Sequence, residues 1–123
     1  MRFLTDRKRA AGLGSGRHGT DHHWQMMVSS ILMVALIPLF VITFAIGYGG
    51  TYEEVTAYFA RPFPAVVAAL TIIVGFHHFR GGVQILIEDY VHGLAQKIAI
   101  IAMTCLSYAA MAVGLYAIIR LAL

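Results

Sequence analysis

Three largely apolar stretches, at about residues 26–48, 64–90 and 97–120, dominate the sequence. Each exceeds the roughly 20 residues that an α-helix needs to cross a bilayer core at ~1.5 Å per residue. In hydrocarbon, every backbone N–H and C=O must find its partner inside the protein, and a helix does this within one segment. The pattern predicts an all-α integral membrane protein with three transmembrane helices. A chain of 123 residues then has little left for a separate soluble domain. The expected organisation is a tail over 1–25 and a three-helix domain over 26–123. Composition agrees: 59% of residues are hydrophobic and 12% are charged, too few charges for the surface of a soluble domain.

The tail is basic but has no apolar h-region or small-residue cleavage site, so it is not read as a secretory signal. "AAGLGSGRHGT" reads as a flexible, glycine-rich segment that meets the membrane at Trp24. Arg2, Arg7, Lys8, Arg9 and Arg17 of the tail lie on one side with Lys97 of the second loop. Arg61 and Arg120 lie on the other. Six basic residues against two predict a cytoplasmic N-terminus in a bacterial inner membrane. The same asymmetry accounts for the net charge of +3, which therefore does not point to nucleic acid. Cys105 is single, lies in an apolar helix and is read as a packing residue. There is no internal repeat and no low-complexity segment.

Pro38 should kink the first helix by removing one backbone bond. Ser29 and Ser30, near its cytoplasmic end, either bond back to their own helix or touch a ligand. The first loop, "GGTYEEVTAYFARPF", is read as short, with Glu53 and Glu54 solvated and Tyr52, Tyr58 and Phe59 at the membrane interface. The third helix carries small packing residues and two tyrosines, Tyr108 and Tyr116, and is assigned no chemistry.

The second helix differs. "GFHHFRGGVQILIEDYVHG" places two histidines, an arginine and acids in or beside an apolar run. Ionisable groups in hydrocarbon are costly and mark a protein interior, a ligand or a water path. At about 100° per residue, Asp89 falls about 20° from His78 on the helix face and about 16 Å along it. Gly75 and Gly82 flank His78 on that face, leaving room for something flat and bulky such as a haem, or for close helix packing. His77, Arg80, Gly81, Gln84 and Glu88 form a neighbouring stripe. Arg80 pairs with an acid of a partner chain, pairs with a haem propionate, or snorkels to the surface. His77 and His78 point about 100° apart and cannot both ligate one iron. His92 lies beyond the helix, so if a six-coordinate haem is present its other ligand must come from another chain. A histidine bonded only to a neighbouring helix is the competing reading of His78. Gly93 is expected to end the helix. Asp89 and Tyr90 at the cytoplasmic boundary are either ordinary interfacial residues or the polar lip of a site for an amphipathic ligand.

His78, ten intervening residues, then Asp89-Tyr90, with Gly82 one turn after the histidine, resembles the small membrane anchor subunit, usually called D, of succinate dehydrogenase (respiratory complex II). The tail "GLGSGRHGTDHHW" resembles the opening of alphaproteobacterial members. The resemblance implies one half of a heterodimeric membrane anchor bundle. It implies that His78 is an axial ligand of haem b, shared with a second anchor subunit of the C type. It also implies that Tyr90 and Asp89 belong to the ubiquinone region. Gly82, Arg80, Ser29 and Ser30 would surround the haem or the quinone. The implied partners are that anchor subunit, an iron–sulfur subunit, a flavoprotein subunit and the lipid bilayer. Succinate would be oxidised on the flavoprotein, with no catalysis by this chain alone. One departure is visible: where members often carry an arginine near the start of the first helix, this chain has Ser29 and Ser30. Arg80, Arg17, His22, His23 or the partner subunit would then neutralise the propionates. The reading from a different class is a small multidrug-type or accessory transporter subunit whose polar second helix lines a substrate path; a third is an anchor without haem.

Overall fold

The structure is a computed structural model that describes residues 4–12 and 19–123. Arg2, Arg17 and most of the glycine-rich segment lie outside the described residues. The elements are α1 (Asp6–Ala11), α2 (Asp21–Gly47), α3 (Tyr52–Phe59), α4 (Pro62–Tyr90) and α5 (Gly93–Ala122). Among the described residues there is no strand, and α2, α4 and α5 are long and apolar enough to cross a membrane.

Both short helices were illegible as apolar periodicity and are built by their caps. Thr5 accepts a hydrogen bond from the Lys8 N–H, with Asp6 in the first turn and Lys8 and Arg9 in the last. That arrangement of charge complements the helix dipole. Thr51 opens α3 with a capping box: its hydroxyl accepts from the Glu54 N–H at 3.3 Å, and the Glu54 carboxylate accepts from the Thr51 N–H at 2.8 Å. The first loop is therefore helical where open loop was expected, and Glu54 works as a cap. Phe59 is 6% exposed, so it is a core residue instead of an interfacial one. Removing the cap with Thr51→Ala should cost about 1 kcal/mol, seen as roughly fivefold faster amide exchange confined to α3.

α2 begins at Asp21, about five residues before the apolar stretch, and so carries His22 and His23 inside a helix. It continues through Pro38 without interruption. Pro62 and Pro64 stand in the first turn of α4, where a missing N–H costs nothing. α4 ends at Tyr90; Val91 is extended, and Gly93, at φ +70°, opens α5 instead of closing α4. Lys97 consequently lies within α5. A left-handed φ is cheap only for glycine, which lets the chain reverse within two residues.

α4 is the central helix, packed antiparallel to α2 on one side and to α5 on the other. Among the described residues, α2 and α5 do not meet. α3 lies across one end and touches all three long helices. The opposite end, where α2 starts and α4 turns into α5, carries the polar residues of α4. Little of the three long helices is buried within the chain. Their outward apolar side chains suit lipid or a partner subunit.

Candidate functional site

Gly81 of α4 lies directly under side chains of α2. A Cβ there would collide with the Met26 sulfur and lie 3.6 Å from His22 Cε1. At Gly75 and Gly82 an added Cβ would meet only Met33 Cε and Met26 Cε, each at 3.8 Å. Gly81, more than the two glycines that flank His78, is thus the position that makes room for a side chain of α2. Gly81→Leu should cost about 1–3 kcal/mol through overpacking, lowering the thermal midpoint of the purified protein, whereas Gly75→Ala should leave it near that of the unaltered protein.

The same packing brings His78 against α2. Ser29 is 4% exposed, and its Oγ lies 3.0 Å from His78 Nδ1. The same Oγ donates to the Met26 carbonyl at 2.9 Å. A hydroxyl has one proton, and a carbonyl can only accept. In the tautomer that carries its hydrogen on Nδ1, His78 donates to Ser29, whose own proton goes to the Met26 carbonyl. That tautomer keeps the ring's lone pair on Nε2, which has no hydrogen-bond partner among the described residues. His78 lines a groove of ≈ 360 Å³ with Ser30, Met33, Val34, Ile37 and Pro38. Pro38 cannot bond the Val34 carbonyl one turn earlier, and both residues are in that wall. Ser30 bonds back to the Met26 carbonyl at 2.8 Å, as a helix serine does.

His77 belongs to a different space. With Gln25, Val28, Ser29, Tyr108 and Met111 it lines a cavity of ≈ 320 Å³ where α4 separates α2 from α5. Arg80 leaves α4 about 200° from His78, and its guanidinium carbon lies 5.8 Å from the centre of the Tyr108 ring. This cation–π contact gives α5 a role that the sequence did not disclose. Two buried nitrogens have no partner among the described residues, Arg80 Nε and His22 Nε2. Each is costly unless a bound group or another chain supplies an acceptor.

Asp89 and Tyr90 close the last turn of α4, and Tyr90 is 78% exposed. Neighbouring Glu88 is also exposed but is held at the surface: its carboxylate accepts from Gln84 at 2.9 Å and its carbonyl from Gln96 at 3.4 Å. Asp89 and Tyr90 remain directed outward, on the same helix as His78.

Over residues 1–119 the chain matches the family of succinate dehydrogenase/fumarate reductase transmembrane subunits. It is 46% identical over 123 residues, covering all of this chain and 95% of the relative, to a succinate dehydrogenase hydrophobic membrane anchor subunit of Paracoccus denitrificans. It is 25% identical over 103 residues, 80% of this chain and 81% of the relative, to a subunit of the same description from Rickettsia conorii. No solved structure matches the chain. With a central helix that carries its polar groups, two flanking apolar helices and these matches over nearly its full length, the chain belongs to the family of succinate dehydrogenase transmembrane anchor subunits.

Proposed function

We propose that this anchor subunit holds a haem b through Nε2 of His78 and forms part of the ubiquinone-reducing site with Asp89 and Tyr90. The observation that supports the haem reading most is the Ser29–His78 bond, which leaves Nε2 as the ring's free electron pair. A ligating histidine characteristically donates its other N–H to a fixed acceptor. Among the described residues, no three His, Cys, Asp or Glu side chains gather around one point. One imidazole from this chain and a second ligand from the C-type anchor subunit is the arrangement that such a donor set suits. His22, with an unpartnered buried nitrogen on the α2 side of Gly81, is the group suited to a propionate. Arg80 faces α5 and is assigned instead to an acceptor on a partner chain.

Haem b, when bound, supplies a one-electron store in the low-dielectric layer. Succinate is oxidised on the flavoprotein subunit, and electrons reach ubiquinone through the iron–sulfur subunit. Ubiquinone takes two electrons and two protons to become the quinol. The Tyr90 phenol donates a hydrogen bond to a quinone carbonyl, a bond that strengthens as that oxygen gains charge. Asp89, on the stripe of His78, exchanges protons with water at the same boundary. The charge asymmetry of the chain supports a cytoplasmic position for this end. Membership of an electron-transfer complex replaces the transporter reading.

The test is the complex purified with all four subunits. Its reduced-minus-oxidised spectrum should show b-type bands, and succinate should drive ubiquinone reduction. A complex that reduces ubiquinone without b-type bands would leave the haem-free anchor as the correct reading.

A further inference from the structure

We propose that Ser29 is a positioning residue that fixes the tautomer of His78 and thereby lowers the reduction potential of the iron it ligates. The inference rests on the haem reading above and adds to it a control element in α2. The geometry is a relay of two bonds. His78 Nδ1 lies 3.0 Å from Ser29 Oγ, which lies 2.9 Å from the Met26 carbonyl; a ring that ligates through Nε2 carries its hydrogen on Nδ1 and donates it to Ser29, whose own proton then goes to Met26.

Three consequences follow from this relay. First, the hydroxyl that receives the imidazole proton is itself polarised by its bond to the carbonyl, so it is a better acceptor than a free serine. Second, Ser29 is 4% exposed, so water does not compete for the imidazole N–H. Third, an imidazole whose N–H is bonded donates more electron density through its other nitrogen. More donation favours the ferric over the ferrous state and lowers the potential. Ser29 also holds the ring from a different helix than the one carrying it, fixing its rotation about the Cβ bond. Thr43 offers an internal comparison. It is a buried hydroxyl of α2 that bonds back to the Leu39 carbonyl at 2.6 Å and reaches no histidine.

The experiment is a redox titration of the haem in the assembled complex carrying Ser29→Ala, Ser29→Thr or Thr43→Ala, beside His78→Ala. Loss of one neutral hydrogen bond should raise the ferrous-to-ferric ratio at fixed potential about fivefold. At ~59 mV per tenfold for one electron, the midpoint should rise by ~40 mV. Ser29→Thr, which keeps the hydroxyl, should restore the potential, and Thr43→Ala should not move it. Should Ser29→Ala not assemble, Ser29→Cys replaces the hydroxyl by a weak acceptor and should raise the midpoint in the same direction. An unchanged midpoint in Ser29→Ala or Ser29→Cys, or a Ser29→Thr midpoint raised as in Ser29→Ala, overturns the role of Ser29. His78→Ala separates the two levels. If it alters the haem spectrum while the Ser29 variants leave the midpoint unchanged, the haem reading stands and this inference falls. If His78→Ala leaves spectrum and potential intact, both fall together.

Discussion

Replacing His78 by alanine in the assembled complex is expected to abolish or deeply alter the b-type difference spectrum, while His77→Ala retains it. The two residues are adjacent, yet their surroundings differ in kind. His78 is bonded to buried Ser29, with its second nitrogen open beside the α2–α4 groove. His77 lies with Gln25 and Tyr108 in the cavity where α4 separates α2 from α5. Losing an axial ligand removes a coordinate bond and the geometry it imposed, so the change in the spectrum should be large. A substitute ligand would restore binding with shifted bands, which is still a change. A normal b-type spectrum in His78→Ala, or its loss in His77→Ala with a fully assembled complex, removes the assignment.

Tyr90→Phe should reduce ubiquinone reductase activity about tenfold or more, since ~1.4 kcal/mol of transition-state stabilisation is one decade in rate. The substitution removes a hydroxyl and keeps the ring. Tyr90 is 78% exposed at the end of α4, so this chain's packing does not depend on it. Haem content should therefore be retained. Succinate oxidation with an artificial acceptor that bypasses the membrane site should stay near normal. The phenol is predicted to act on a developing charge, so the loss should appear mainly in kcat. Wild-type quinone reduction by Tyr90→Phe in an intact complex would show that the hydroxyl has no part in the site.

The three long helices were legible because bilayer thickness sets a length that a composition scan can read. Their ends were less so. The apolar stretch of α2 begins near Met26, but the helix begins at Asp21, because Asp21, His22 and His23 are polar residues that a helix accommodates as readily as a loop. α3 was hidden in a loop because its stability comes from the Thr51–Glu54 cap and from burying Phe59, neither of which produces a long period. Within the site, helical angles alone separated His77 from His78 and placed His78 in register with Asp89. They did not reveal that Ser29 meets His78 across 49 positions of sequence, since that pairing depends on how α2 and α4 pack. For the same reason Tyr108 was assigned no chemistry, although it faces Arg80 from α5.

α4 runs without a break from Pro62 to Tyr90. His78 and Tyr90 are twelve residues apart on it, about 18 Å of axial rise. Their separation is therefore a ruler held by the helix's own hydrogen bonds: as long as α4 stays helical, it does not depend on how the bilayer thins around it. Substitutions elsewhere in the anchor can loosen a bond or shift an energy level, but they leave the length of that ruler unchanged. With a haem at His78 and a quinone at Tyr90, as proposed, variation in electron flow between them would be a matter of driving force more than of distance.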